Sequence, residues 1–584
     1  MGLLSRVGFI AAGVACVTAT TNVAAVESSS SAPLVSPDVS LARANAPQIF
    51  NAVNNAMRQW GSSVHHNGMS LFLVTVPAGN LFYHGCGTPD RRAGFEWLSF
   101  EPEHASYFGR SEEPRNDHEG NGSDGQQPST PPPSSNAQLV MVPADPPADE
   151  PPQWPNCPEL PASGQRGYIH TYKAARDLRV LYIDGQAAAK SFIGTLDIQN
   201  LVLLNFKDNP MDCMMGDMTR ARSLCDLMTT EWAGAHIDGI LRMEAGFELI
   251  YCDFADGGGL DLVSVVGSPF KNETGKADET GWSTESRNER DNLRASDPVP
   301  GGVLGMEWIR AVAQRYHGFE PERIEVDFSS MVSAFWYPLN RTNPDVRRPD
   351  LPRFVNASDD ALLVMYGRVR EVLHDRRAAK PSVHWQAVSD RVVSLFGSRL
   401  EAMAGEGSTA ATMASQISSL VNPFINYGVR IDRNESVSRC ATSHLTRTQE
   451  LQHHWTKEDH LIFAAFEVIT HRICNTLFDL RPVLDGPSDD DVLSARATAR
   501  DLMQWLGWAR FRGCAGQDCG DPERICFITM FPAGGTVDHF RPRCKTAEEI
   551  GQAESHGYFS TRPAPEEPLF STMSTSATSY QWFV

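Results

Sequence analysis

Positive charge is scarce in this chain. Its 51 Lys and Arg stand against 71 Asp and Glu, a formal net charge of −20. That leaves no basic surface for a phosphate backbone, so a nucleic-acid partner is not expected. Long apolar runs are missing too. Beyond the N-terminus no segment holds the ~20 consecutive apolar residues that a membrane-spanning helix needs. Several catalytic signatures are absent as well. No G-x-S-x-G elbow occurs, which removes support for a serine hydrolase of that type. Gly185 to Ser191 closes on Lys190-Ser191 like a phosphate loop, but Ala189 stands where the loop needs glycine. A helix start accounts for it better. His453, His454 and His460 lack an H-x-x-x-H pair or a carboxylate triad, so no metal is expected there.

The N-terminus differs from the rest. Arg6 precedes an apolar, small-residue run from Val7 to Thr18, and Val23-Ala24-Ala25 offers a cleavage site. Residues 1–25 read as a secretory signal peptide. Asn121, Asn272, Asn340, Asn356 and Asn434 begin N-glycosylation triplets, which agrees with export. A secreted or luminal location makes disulfides the expectation for the cysteines. Twelve cysteines minus Cys16 leave eleven, one of them odd. Cys514, Cys519, Cys526 and Cys544 lack a C-x-x-C pair, which favours two disulfides over zinc. Cys86 is a further candidate for pairing, with Cys225 or Cys252 as its partner.

The fold class expected is α+β, with several domains in 584 residues. Residues 26–44 look like a flexible leader. A mixed domain then spans 45–268. Ile49, Phe50, Val53, Met57 and Trp60 share one face of a helix over 46–60. Strands follow at Met69–Val76, Leu81–Gly85, Phe95–Phe100, Tyr168–Tyr172 and Leu178–Gly185, with helices from Glu101 and over Met218–Ala233. Residues 109–164 hold 13 of the 38 prolines and read as a disordered insertion, with one ordered patch at Leu139–Val142. A polar linker covers 269–302. A mainly helical domain covers 303–480, with helices at Val303–Tyr316, Asp359–Arg377, Val383–Met403, Thr409–Leu420 and Asp459–Phe478. Residues 481–584 form a Cys-rich segment with a mobile tail.

Asp238 to Phe254 is the stretch that calls for an explanation. Two apolar runs flank Glu244-Ala245-Gly246, and the second carries Glu248. A carboxylate inside a buried strand needs partners or a task; the plainer alternative is an exposed Glu on an edge strand. Upstream lie His84-Gly85 at a strand end and Trp97-Leu-Ser-Phe-Glu-Pro-Glu-His-Ala-Ser-Tyr107, a strand followed by a helix. Histidine, aromatic and glutamate in that order resemble the three-part signature of the ADP-ribosyltransferase fold. The segments around Tyr172–Asp184 and Asp238–Ile240 are similar to its intervening strands. The resemblance covers residues 69–110 and 166–255. It departs at Trp97, where the family has tyrosine, and at Cys86, where it has a small residue. The chain as a whole also resembles uncharacterised exported proteins of filamentous fungi.

The resemblance implies NAD as a substrate, with no tightly bound cofactor. Glu248 would stabilise the oxocarbenium-like state as the nicotinamide–ribose bond breaks. His84 would hold the adenosine ribose, and Gly85 would let the backbone approach. Trp97, with Tyr107 second, would cover the nicotinamide, and Ser99 would sit beside the ribose. Each residue type has a bland alternative: a structural histidine, a core tryptophan, a helix-packing tyrosine. Two functional readings therefore stand: an exported ADP-ribosyltransferase or NAD glycohydrolase, and a non-catalytic, disulfide-stabilised secreted protein that binds an unknown protein partner.

Overall fold

Nine short segments of alternating or wholly apolar character pair into one sheet. In chain order they are β1 (Asn67–Val76), β2 (Leu81–Cys86), β3 (Glu96–Ser99), β4 (Tyr168–Ala174), β5 (Leu178–Gly185), β6 (Gly239–Glu244), β7 (Gly246–Tyr251), β8 (Leu260–Gly267) and β9 (Glu325–Ser333). Their spatial order is β8-β4-β2-β3-β7-β6-β5-β1-β9. The computed structural model describes residues 36–111, 165–205, 214–268, 308–313, 323–375, 383–484, 488–514, 519–521, 523–546, 549–550 and 558–559. The expected signal peptide, most of the expected Pro-rich insertion with Leu139–Val142, the expected linker and the expected C-terminal tail lie outside them.

Every pairing in this sheet is antiparallel except β5 with β6. Parallel neighbours need a long crossover. Here it runs from Gly185 through a wide helical turn (Ile198–Leu203) and a helix (Met214–Thr229). The start of this crossover, residues 186–191, is turn and irregular backbone instead of the expected helix start. Gly185 sits at φ +70°, which favours leaving the strand in a turn. β6 and β7 form a hairpin so tight that Glu244 pairs with Gly246, and Gly246 takes φ +95°.

The fold class is α+β, with a cysteine-rich C-terminal region closed by Cys514–Cys526 and Cys519–Cys544. The helical stretch includes Asp359–His374, Trp385–Ala404, Ala410–Val421 and Lys457–Asp479, each close to its expected limits, plus Arg433–Ser443 and Asp489–Leu506. Only 308–313 of the expected Val303–Tyr316 helix is described, and it is helical. β9 comes from within the segment expected to be helical and pairs with β1. Asp459 ties the two parts together. It closes the capping box of its helix and accepts hydrogen bonds from Ser329 of β9 (2.9 Å) and Trp385 (2.8 Å). The described residues from Ser36 onward accordingly belong to one compact unit. The helix starting at Lys457 is long and apolar enough to cross a membrane, yet 67% of its most apolar window is buried in this core.

Three local expectations need correction. The leader is not irregular to residue 44: Asp38 caps a helix, Val39–Ala44, whose Ala42 is buried. The helix over 46–60 is two helices, Ala46–Asn55 and Gln59–Val64. They part at Met57, which takes φ +56° and donates its N–H to Tyr182 Oη at 3.2 Å. Cys225 and Cys252 pair with each other, whereas Cys86 lies beside His170 Nε2 at 3.6 Å. Asn340, Asn356 and Asn434 are exposed; the other two triplets lie outside the described residues.

Candidate active site

The β6–β7 hairpin sends alternate side chains to one face, because pairing partners share a face. Arg242 pairs with Glu248, Glu248 with Ser99, and Ser99 with Tyr83. Trp97, two residues from Ser99, joins them. The β5–β6 crossover brings Lys190, Gln199, Asp217 and Arg220 over the same face, and the helix Pro102–Phe108 adds His104. Three cations and three carboxylates are thereby buried together. The side chains of Arg220 and Arg242 are 0% exposed, those of Asp217, Glu244, Glu248 and Lys190 at most 8%.

Their bonds form one network. Arg242 donates from Nε to Glu248 (2.5 Å), from both terminal nitrogens to Asp217 (2.6 and 2.9 Å) and to Gln199 (2.9 Å). Arg220 also donates to Asp217, at Oδ1 and 2.8 Å. Lys190 lies 2.8 Å from Glu244 and 3.9 Å from both Asp217 and Glu248. His104 Nε2 stands 3.5 Å from Glu244, its ring stacked on Trp308 at 4.4 Å. The hairpin tip is pinned from outside. Gln59 bonds both Glu244 O and Gly246 N (2.8 Å each), and Phe531 O accepts from Ala245 N (2.9 Å).

The charges titrate unequally. Burial works against ionised Asp217, but Arg242, Lys190 and Arg220 outweigh it and hold its carboxyl below the usual range. Burial likewise opposes the Glu244 charge, and Lys190 and His104 overcome it. For Glu248 burial wins over Arg242 and Lys190, and its pKa is raised. Arg242 is held strongly protonated although the Glu248 pKa is raised. The two directions agree once Asp217, with two bonds to the guanidinium, is taken as its main counter-ion. Glu248 is thus the carboxylate of the three that accepts a proton most readily.

Beside this network lies a cleft lined by Tyr83, His84, Gly85, Glu96, Trp97, Leu98, Ser99, His104, Ala105, Phe108, Lys190, Asp217 and Glu248. Its empty space is about 530 Å³ out to the mouth, of which water centres can occupy about 60 Å³. At ~10–15 Å³ per water, the depth takes roughly five waters.

The structure brings some expected residues together and separates others. Glu248 is buried on a central strand, so the exposed edge-strand alternative does not hold. Trp97 is half-buried and shares its cleft. Ser99 is there too, but its hydroxyl is engaged by the carbonyls of Tyr83 (3.1 Å) and Glu101 (3.0 Å). Gly85 does not leave room for a ligand: a Cβ there would lie 2.0 Å from Ala105 O, so the glycine seats the helix Pro102–Phe108 on β2. Tyr107 packs on Trp308, ring centres 5.4 Å apart, and is not among the lining residues. His84 follows Tyr83 on β2 and so projects to the opposite face, its ring near His170 and Phe254. Its Nδ1–H donates to Trp97 O at 2.8 Å, while Nε2 is buried and makes no hydrogen bond among the described residues.

The residues that sequence reasoning missed are Lys190, Asp217, Arg242 and Glu244. One signal was visible: Arg242, Glu244 and Glu248 are the charged residues of an otherwise apolar hairpin. Among the described residues, Cys514, Cys519 and Cys526 are the group with metal-holding geometry, and all three are spent in disulfides.

A family model, the YPL277C N-terminal domain, matches residues 39–288, which include every residue lining the cleft. The uncharacterized protein YPL277C of Saccharomyces cerevisiae is 30% identical over 403 residues, 62% of this chain and 75% of its own length. The chain belongs to this family. A second relative, the uncharacterized protein YOR389W of the same yeast, is 26% identical over 550 residues, 83% of this chain and 81% of its own length. No solved structure matches.

Proposed function

We propose that the protein is an NAD-consuming enzyme, an NAD glycohydrolase or ADP-ribosyltransferase, in which Glu248 stabilises the oxocarbenium-like state at the ribose. The observation that carries this is the register. Glu248, Ser99 and Tyr83 lie side by side on three neighbouring strands, with Trp97 on the same face, and all four line one cleft. A carboxylate fixed by Arg242 and facing a low-dielectric cleft stabilises positive charge far better than one in water. Tyr83 and Trp97 supply aromatic surface for the leaving base. The likeness to the ADP-ribosyltransferase fold supports the same reading through the order of its three segments.

One observation favours the non-catalytic alternative. His84, which would hold the adenosine ribose, projects to the other face of the sheet. Incubation of the purified protein with NAD, following nicotinamide release, separates the two. An enzyme releases nicotinamide, and Glu248→Gln with intact folding loses at least a hundredfold in rate. Equal rates in the variant remove Glu248 from the mechanism, and no release by the wild type leaves the protein as a binding module.

A further inference from the structure

We infer that His66 and Gln186 are positioning residues for the β6–β7 hairpin that act only while His66 is neutral, so that acid releases the hairpin tip. The direction of the hydrogen bonds carries this. Phe531 N–H can only donate, so the Gln186 atom 2.9 Å from it is the amide oxygen. The amide nitrogen of Gln186 therefore faces His66 Nδ1, 2.8 Å away. A ring nitrogen that receives that bond carries no proton, which makes His66 the neutral tautomer with its hydrogen on Nε2. On its other side Phe531 O accepts from Ala245 N at 2.9 Å. One chain of hydrogen bonds thus runs from His66 through Gln186 and Phe531 to the tip of the hairpin that carries Glu244 and Glu248. Lys190 Nζ also lies 6.0 Å from the centre of the Phe531 ring.

A proton on His66 Nδ1 would set two donors face to face. Turning the Gln186 amide relieves that contact and creates the same fault at Phe531 N–H, so no orientation of the amide serves both. The surroundings oppose a charged ring as well. His66 is fully buried, its ring centre 4.7 Å from that of His539 and 5.2 and 5.6 Å from Tyr558 and Phe559. His65 precedes it in the chain. Arg348 donates to Tyr558 Oη (2.8 Å) and Arg512 to His539 Nε2 (3.1 Å), with Asp350 3.5 Å from the same nitrogen. Burial first, then His539, Arg348, Arg512 and His65, hold His66 well below the ordinary histidine range. While the tip is held, His66 therefore stays neutral, and acid acts by favouring the arrangement in which the ring reaches water. A histidine with the ordinary value of 6.5 favours that arrangement roughly 25-fold more at pH 5 than at pH 7.

Hydrogen exchange at Ala245 N–H of the full-length protein, read by mass spectrometry and corrected for the intrinsic rate, tests this at pH 7 and pH 5. Expected is a protection roughly 25-fold or more lower at pH 5, while the amides of β1 change far less. In His66→Asn the side-chain oxygen takes the place of Nδ1 without titrating, and the fall at Ala245 should shrink about tenfold or more. Gln186→Leu removes both bonds and should leave Ala245 poorly protected at either pH. Equal wild-type protection at the two pH values overturns the inference. So does an equal fall at β1, which would mean that acid acts on the whole fold, or an undiminished fall in His66→Asn. If a variant does not fold, the wild-type comparison of Ala245 with β1 decides alone. None of these readouts uses NAD turnover, so the result is separate from the enzyme reading.

Discussion

Lys190→Met tests the charge network without assuming any activity. Methionine keeps the length and apolar stem of lysine and removes one of three cations from a site whose three carboxylates are at most 7% exposed. Removing one member of a buried ion cluster costs about 3–5 kcal/mol. A second route sets a ceiling. The variant regains neutrality if one carboxylate, Glu248 first, takes up a proton. For a glutamate with an ordinary value of 4.5, holding that proton in the fold costs ~1.4 kcal/mol per pH unit above that value. The ceiling is therefore about 2 kcal/mol at pH 6 and about 5 kcal/mol at pH 8. The sign follows from linkage. The carboxyl pKa of the folded variant lies above the unfolded one, so its stability is full below pH ~4.5 and lost as pH rises. Urea midpoints between pH 5.5 and 8 measure this directly. The gap between wild type and Lys190→Met should widen steadily with pH, and Lys190→Arg should close most of it. A gap below about 1 kcal/mol at pH 8, or one independent of pH, would refute the idea that Lys190 neutralises these carboxylates.

Two further perturbations test the frame around the site. His539 is fully buried beside Arg348, Arg512, Asp350 and Tyr558, and burial first, then the two arginines, pull its pKa down to about 4. A neutral histidine in the fold and a protonated one in the unfolded chain means stability lost as pH falls from about 6.5 toward 4. This group alone accounts for ~2 kcal/mol between pH 7 and 5. His65 and His66 act in the same direction, while Asp184, raised to about 7 by burial, acts against it. His539→Gln should flatten the acid limb by about that amount, and an unchanged pH slope by urea denaturation would contradict the buried neutral state. Gly85→Ala would place a Cβ 2.0 Å from Ala105 O and 2.5 Å from Gly109 N, both backbone atoms that cannot swing aside. A loss of about 1–3 kcal/mol follows. Gly367→Ala, in a helix with nothing within 4 Å, is the matched control and should be neutral or stabilising by up to ~1 kcal/mol.

What could be read from the residues was the local periodicity. The helices Asp359–His374, Trp385–Ala404, Ala410–Val421 and Lys457–Asp479 carry enough apolar stripe to be placed within a few residues of their observed ends, whereas Arg433–Ser443 between them was not seen. β8 and β9 were not seen for opposite reasons. β8 is an edge strand with Val263 and Val266 exposed, so burial does not enforce its pattern. β9 interleaves Ser329, Ser330 and Ser333 among its apolar residues, and their hydroxyls bond Asp459, Asp327 O and Ser70. Met57 shows a third limit: an unbroken apolar stripe runs through the point where the chain leaves the helix to meet Tyr182. The network around Glu248 was hidden because its members come from both arms of a hairpin and from a crossover some 25 to 58 residues upstream. Lys190 and Asp217 look like ordinary solvated charges until the one parallel strand pair folds them inward.

Order along the chain and facing across a sheet are separate properties, and here they divide the candidate residues. His84 has the expected place in sequence, but whether it meets Glu248 depends on strand parity. Tyr83 pairs with Ser99 and Ser99 with Glu248, so Tyr83 takes the inward place and His84 the outward one. By that parity His84 and Glu248 stand on opposite faces of the sheet. The network argues that the cleft has a task. Well-packed apolar residues of similar volume would make the same hairpin as stable or more so, so stability alone does not account for three buried carboxylates. One of them is raised toward protonation, on the wall of an open cleft, and beside two aromatic rings. A purely structural ion cluster has no need of the opening; a site that must accept, orient and release a charged ligand does.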